Sequence, residues 1–137
     1  MNVVPERYTF DSEAILAFYF GEKGGDIVRD LLEQIRSGAA EGYINIINLT
    51  EIYYILSRLS PELAEEKQSN LRVHGLKVVT VEDDGLWREA AHVKAKHSLS
   101  LADAFAVATA EAFKSKLVVG SDKEFNKLNI QFLRIRG

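Results

Sequence analysis

Four acidic residues, Asp11, Glu51, Asp103 and Asp122, stand where apolar, strand-like stretches give way to helical ones, or in the first turn of the helix that follows. At the three- and four-residue spacings of a helix face, Asp11 is followed by Ala14 and Ile15. Glu51 is flanked at those spacings by Ile47, Asn48, Tyr54 and Ile55, and Asp103 by Leu99, Ser100, Ala106 and Val107. None of these neighbours is basic, so no local ion pair offsets a carboxylate on a packed helix face. Brought together by the fold, the four acids call for a divalent cation as counter-charge. The donors are all oxygen, which suits a hard cation such as Mg²⁺ or Mn²⁺ rather than zinc. His74, His92 and His97 share no ligand-like spacing with them.

Taken singly, each acid has a simpler reading. Asp11 can N-cap the helix after it, and Asp122 the short turn that begins at Lys123. Asn48-Leu-Thr-Glu51 and Ser100-Leu-Ala-Asp103 have capping-box spacing, in which the acid reaches back to backbone N–H groups. Capping does not require four acids to arrive at one place, however, whereas a metal site does. Helix N-termini also favour the ionised carboxylate, so a cap can double as a ligand. The rival cluster Glu82-Asp83-Asp84 lies in a charged turn before a helix, where solvated capping is the expected outcome. Lys94, Lys96 and His97 form a small basic group that reads equally well as a solvated helix end or as a guide for a phosphate backbone.

The elements that must position these side chains alternate. Arg7 to Phe10 reads as a strand, Ser12 to Phe20 as a packed helix, and Asp26 as the cap of an amphipathic helix that Gly38 ends. Tyr43 to Ile47 is a continuous apolar strand, followed by a helix over Leu49 to Leu59. Ser60-Pro61 starts another helix that runs to His74. Leu76 to Val81 is a strand, and a helix runs through Trp87 to Lys96. Leu101 to Lys114 is a helix of small residues, Leu117 to Val119 a strand, Lys123 to Lys127 a helical turn and Gln131 to Ile135 a last strand. Such alternation predicts an α/β fold with an open, mainly parallel sheet wrapped on both sides. Ligand crevices of such sheets lie at the carboxyl ends of the strands, where the four acids are expected to gather.

Composition sets the bounds. A chain of 137 residues, 47% hydrophobic and 27% charged, suits one domain with its own core over residues 1–137. There is no cysteine, so disulfides and thiolate metal sites are excluded. The net charge of −3 argues against bulk attraction to nucleic acid, although four clustered carboxylates would account for −4 that bound cations cancel. No apolar run approaches a membrane span, and Met-Asn-Val-Val-Pro-Glu-Arg lacks the build of a signal peptide. The expectation is a cytoplasmic protein without a membrane segment.

Four segments carry a resemblance. Tyr-Thr-Phe-Asp11-Ser-Glu-Ala-Ile-Leu-Ala-Phe, Asn-Leu-Thr-Glu51-Ile-Tyr-Tyr-Ile-Leu, Leu-Ser-Leu-Ala-Asp103-Ala-Phe-Ala-Val-Ala-Thr-Ala and Leu-Val-Val-Gly-Ser-Asp122-Lys-Glu-Phe resemble, in order and spacing, the PIN-domain family and especially its VapC-type toxins. The third segment is the most specific, and the resemblance covers nearly the whole chain. It implies a PIN-like three-layer α/β/α sandwich with a central, mainly parallel sheet. It further implies an acidic pocket holding Mg²⁺ or Mn²⁺, cleavage of single-stranded RNA, a homodimer and a cognate antitoxin. Asp11, Glu51, Asp103 and Asp122 occupy the family's acidic positions and become the expected catalytic and metal-binding residues, with Ser12 and Ser121 as auxiliaries. The chain departs from the family pattern in two places. Gly120 stands where members often have a hydroxyl residue two positions before the fourth acid, and Glu13 replaces a small polar residue.

The expected function is therefore a Mg²⁺- or Mn²⁺-dependent endoribonuclease, the toxin of a toxin–antitoxin pair, acting on single-stranded or structured RNA. Other readings are a stand-alone RNA-processing nuclease of the same type, or a non-catalytic scaffold that binds RNA or protein. A phospho-receiver module also holds Mg²⁺ with strand-end acids, but it wants paired acids after the first strand, and Asp11 is followed by Ser12.

Overall fold

The computed structural model describes residues 4–137; residues 1–3, which open the N-terminal segment discussed above, lie outside the described residues. The elements in chain order are β1 (Glu6–Phe10), α1 (Ser12–Tyr19), α2 (Gly25–Arg36), β2 (Ala40–Asn45), α3 (Ile46–Ser57), α4 (Pro61–Val73), β3 (Lys77–Val79), α5 (Asp84–Lys96), α6 (Leu101–Ala112), β4 (Lys116–Val119), a 3₁₀ turn (Lys123–Lys127) and β5 (Phe132–Arg134). The strands form one parallel sheet in the order β3-β2-β1-β4-β5. From β1 the chain builds outward through β2 and β3, then returns to place β4 on the other side of β1. The order reverses between β1 and β4, which is where the crevice of such a sheet lies, beyond their carboxyl ends.

Period-two alternation along the strands separates two cores. Tyr8, Phe10, Ile44 and Val118 are buried with Ile15, Val28, Leu32, Leu49 and Ile52 from the helices on one face. Leu117 and Val119 point the other way and are buried with Leu86, Val93, Leu99, Val107 and Phe125. Helices cover both faces, as expected of an α/β/α sandwich. Among the described residues, no helix is long and apolar enough to cross a membrane.

Helix α6 matters most for the site, because it packs on β1 and β2 and delivers Asp103 to their ends. Its small residues make that approach possible: Ala104, Ala106, Ala108 and Ala110 are all buried. The one polar side chain of this buried stretch is satisfied, since Asn45 Nδ2 donates to Thr109 Oγ1 at 3.0 Å and Thr109 donates to Phe105 O at 2.7 Å.

Several boundaries differ from the sequence expectation for identifiable reasons. Ile46 and Ile47 belong to α3, not to a strand, because Asn45 Oδ1 accepts from Ile47 N–H at 2.8 Å and caps the helix three residues earlier. An apolar run does not by itself distinguish a strand from a buried helix start. As a consequence Asn48 is no cap, and Glu51 sits in the second turn of α3 rather than in a capping box. Helix α2 starts after Gly24, whose φ of +88° favours glycine, so Asp26 lies in its first turn instead of capping it. Ser60 and Pro61 start α4 as expected. Helix α6 stops at Ala112, two residues before Lys114.

The tight seat of α6 yields a test. Ala106→Leu adds three carbons where Ala106 is fully buried, and overpacking of this kind costs about 1–3 kcal/mol. Denaturant unfolding should show a lower midpoint for the variant. An unchanged midpoint would mean that α6 is not seated closely.

Candidate metal centre

Asp11 is the first residue after β1. Its N–H donates to Val118 O at 3.0 Å, so it stands in the crevice between the ends of β1 and β4. Its Oδ1 accepts from Ala14 N–H at 2.7 Å, which makes it the N-cap of α1, and its side chain is buried, the residue being only 1% exposed. Burial lifts its pKa well above the ordinary value; the Ala14 and Gly120 N–H groups oppose the rise, and the negative charges of Asp103 and Glu13 add to it.

The other three acids come from different elements. Asp122 lies three residues beyond β4, half-buried, and caps the 3₁₀ turn by accepting from Glu124 N–H at 2.9 Å. Asp103 is half-buried in the first turn of α6, where its N–H donates to the N-cap Ser100 Oγ at 3.1 Å. It reaches the sheet edge from the α5–α6 hairpin rather than from the end of a strand. Its pKa is raised chiefly by burial; Ser100 lowers it, and the charges of Asp122 and Glu51 raise it. Glu51 is half-buried on α3.

The charge of Asp103 thus raises Asp11, and the charges of Asp122 and Glu51 raise Asp103, so the influence of the four acids on one another runs through Asp103. No ion pair among the described residues joins a Lys or Arg to Asp11, Glu51, Asp103 or Asp122. Among the described residues, no three acidic or histidine side chains close into a finished cation cage.

Asn48 knits the helices beneath these acids. One turn before Glu51 on α3, its Nδ2 donates to Ser12 Oγ at 3.2 Å and to Ala102 O at 3.1 Å. Ser12 and Ala102 are the sequence neighbours of Asp11 and Asp103, so one buried amide ties α1, α3 and α6 together at the acids. Ser12 Oγ donates in turn to Asn48 O at 3.4 Å. Asn48 Oδ1 is buried without a hydrogen-bond partner. An all-oxygen donor set, a fully buried carboxyl with acidic neighbours and an unpartnered amide oxygen nearby together fit a hard divalent cation.

Ser121, the second auxiliary, is exposed, and both its N–H and its hydroxyl donate to Glu13 Oε2, at 3.0 and 3.2 Å. Burial raises the Glu13 carboxyl, but the Arg136 guanidinium and the Ser121 donors outweigh it and hold the group below its usual range. The rival acids Glu82, Asp83 and Asp84 are exposed, and Asp83 caps α5 through Gly85 N–H at 2.6 Å. His97 lies 3.4 Å from Glu124, while His74 and His92 lie beside Glu33 and Glu89. Sequence reasoning missed Asn48 as a bridge, although it shares a helix face with Glu51. It also missed Arg134 and Arg136, whose partners lie too far along the chain for any local pattern to reveal.

The buried charge at Asp11 has a measurable consequence. Its raised pKa means that the metal-free folded chain holds this proton more tightly than the unfolded chain, where Asp titrates near 3.9. The stability it contributes is whole below the unfolded pKa and is lost as pH rises through the higher folded-state value. Asp11→Asn keeps the capping oxygen and removes the charge. In EDTA the variant should melt above wild type at neutral pH, with the gap closing as pH falls toward about 4. Thermal midpoints across that range check this, and a variant that melts lower at neutral pH would contradict it.

The family model described as PIN domain matches residues 8–131. Comparison with curated proteins gives no match. Among solved structures, the VapBC2 complex of Rickettsia felis bound to a promoter DNA fragment is similar at a TM-score of 0.72 and 15% identity, over 93% of this chain and 98% of that one. A toxin–antitoxin complex from Klebsiella pneumoniae gives a TM-score of 0.71 and 13% identity, over 93% and 97% of the two chains. PAE2754 from Pyrobaculum aerophilum gives 0.63 and 20%, over 95% and 90%. At these identities the likeness concerns the fold, and it agrees with the parallel sheet and the helices described above. The family match spans the segments that carry all four acids, and by it this chain belongs to the PIN domain family.

Proposed function

We propose that the protein is a Mg²⁺- or Mn²⁺-dependent endoribonuclease that cleaves single-stranded RNA, acting as one cytoplasmic domain and as the toxin of a toxin–antitoxin pair. The observation that carries this reading is the Asn48 amide, which ties together the sequence neighbours of fully buried Asp11 and half-buried Asp103 and leaves its own buried Oδ1 without a partner. PIN domain proteins are nucleases and are generally dependent on divalent metals, which supports the reading.

Asp11 and Asp103 would be the principal ligands of such a cation, with Glu51 and Asp122 as its further carboxylates. The bound cation supplies Lewis acidity and a water of lowered pKa for in-line attack on a phosphodiester. Asp11 brings its carboxylate already oriented by the Ala14 N–H, so little is lost in ordering it. Ser12 and Asn48 brace the floor of the site rather than touching RNA. Asp122, held by the Glu124 N–H, closes the side nearest β4.

An antitoxin and a second copy of the chain are the proposed protein partners. The toxin–antitoxin complexes among the structural relatives support the first. Phe20 at the end of α1 and Tyr54 on α3 are both exposed, at 43% and 44%, and offer apolar surface to a partner helix. An arginine from such a helix has the planar fork that a metal-poor carboxylate pair would accept.

Two results follow from this reading. Asp103→Asn should lower Mn²⁺-dependent cleavage of a single-stranded RNA by more than the roughly 10–100-fold that loss of a supporting partner costs, with the fold retained. Full activity with Mn²⁺ in the variant would refute its role. Mn²⁺ should also raise the thermal midpoint of the wild type. A hundredfold excess over Kd adds about 2.7 kcal/mol, a shift on the order of 10 °C for a chain of this size. Absence of both a shift and calorimetric binding would leave Asp11 and Asp122 as caps alone and would refute the metal site.

A further inference from the structure

Asp122 is carried on a three-residue loop, Gly120-Ser121-Asp122, whose polar groups are gripped from two sides. From one side Arg134, the last residue of β5, donates to Gly120 O at 2.8 Å, to Asp122 O at 3.0 Å and to Asn126 Oδ1 at 2.9 Å. From the other side Glu13 Oε2 takes both the N–H and the hydroxyl of Ser121. The same oxygen accepts from Arg136 Nε at 3.1 Å and Nη2 at 2.9 Å, while Arg136 Nη1 reaches Glu22 Oε1 at 3.1 Å. Ile135, between the two arginines, is buried and donates its N–H to Val119 O at 3.0 Å, which fixes the tail against β4.

Gly120 completes the arrangement by what it lacks. A Cβ at this position would overlap the Glu13 carboxylate. Gly120 is not among the glycines of positive φ, so the requirement is for space rather than for a glycine-only conformation. Glu13 also lies two residues from Asp11, at the start of the helix that Asp11 caps. One side chain thus spans from the helix of the first acid to the loop of the fourth. Arg136 offsets the charge that this carboxylate would otherwise add to the acidic pocket.

We infer that Glu13, pinned by Arg136 and admitted by Gly120, is a positioning residue that sets Asp122 against Asp11 and Asp103. This inference rests on the proposed metal-dependent nuclease for its consequence, but the positioning itself is measurable without metal. Releasing the pin frees the loop, and outer partners of this kind are worth roughly 10–100-fold in metal affinity.

The test uses the full chain with Arg136→Ala, Arg136→Lys, Glu13→Ala, Gly120→Ala and the Glu13→Ala/Gly120→Ala double variant. In EDTA, amide exchange at Ser121 should speed by about tenfold or more in Glu13→Ala and Arg136→Ala, the scale of one lost hydrogen bond. Gly120→Ala should lower the thermal midpoint when Glu13 is present and do so much less when residue 13 is alanine. By calorimetry, Mn²⁺ affinity should fall about 10–100-fold in Arg136→Ala, and recover in part in Arg136→Lys, which keeps the charge but not the fork. The Mn²⁺ concentration for half-maximal cleavage should move with it, more than turnover at saturating Mn²⁺ does. Unchanged Ser121 exchange in Glu13→Ala, or an equal Gly120→Ala penalty in both backgrounds, would overturn the inference. If wild type itself binds no Mn²⁺, the nuclease reading fails, and the exchange and melting results still decide whether Glu13 holds the loop.

Discussion

The carboxylate of Asp11 is sealed at the switch point of a parallel sheet, with other carboxylates as neighbours and backbone N–H groups as its nearest support. A charge in that position is costly unless something neutralises it. Much of the surrounding structure can be understood as supplying what this one group needs. The ends of β1 and β4 bring it into the crevice, the first turn of α1 points a donor at it, and α6 carries Asp103 to it across a face of small residues. Residues that serve folding and residues that serve the site are here largely the same residues.

Capping and ligation do not compete in this arrangement. Asp11 caps α1 and Asp122 caps the 3₁₀ turn, while Asp103 takes part in the capping of α6 through Ser100. The Ala14 N–H orients the Asp11 carboxyl and opposes the rise that burial causes, and the Glu124 N–H orients that of Asp122. That leaves further carboxylate lone pairs for a cation. Asn48 plays the matching role for the helices themselves, since its amide fastens α1 and α6 to α3 beside the acids. The caps orient the individual carboxylates, and the amide holds their helices in register.

The α/β class and the parallel sheet were legible because they depend on local pattern, apolar strands and helical spacing, and the proposal of the four acids rests on local pattern too. What the pattern hid was mostly long-range or ambiguous. Ile46 and Ile47 extend an apolar run that reads as strand, and only the turn made by Asn45 shows that the helix has begun. Glu13 and Gly120 read as two separate departures from the family pattern, yet in space one is the condition of the other. Arg136 lies 123 residues from Glu13, a distance over which no periodicity speaks. Asp103 was legible as an acid but not as the one through which the four influence one another, because that depends on how α6 crosses the sheet.

The central claim is that these four carboxylates share a cation. The most direct measurement is anomalous diffraction from a crystal of the wild-type protein soaked in Mn²⁺, collected near the manganese absorption edge. The expected result is a peak between Asp11 and Asp103, at the roughly 2.0–2.1 Å oxygen distances of a small hard cation, with Glu51 and Asp122 on the same ion directly or through water. A peak confined to Glu82–Asp84, or none at any accessible Mn²⁺ concentration, would contradict it.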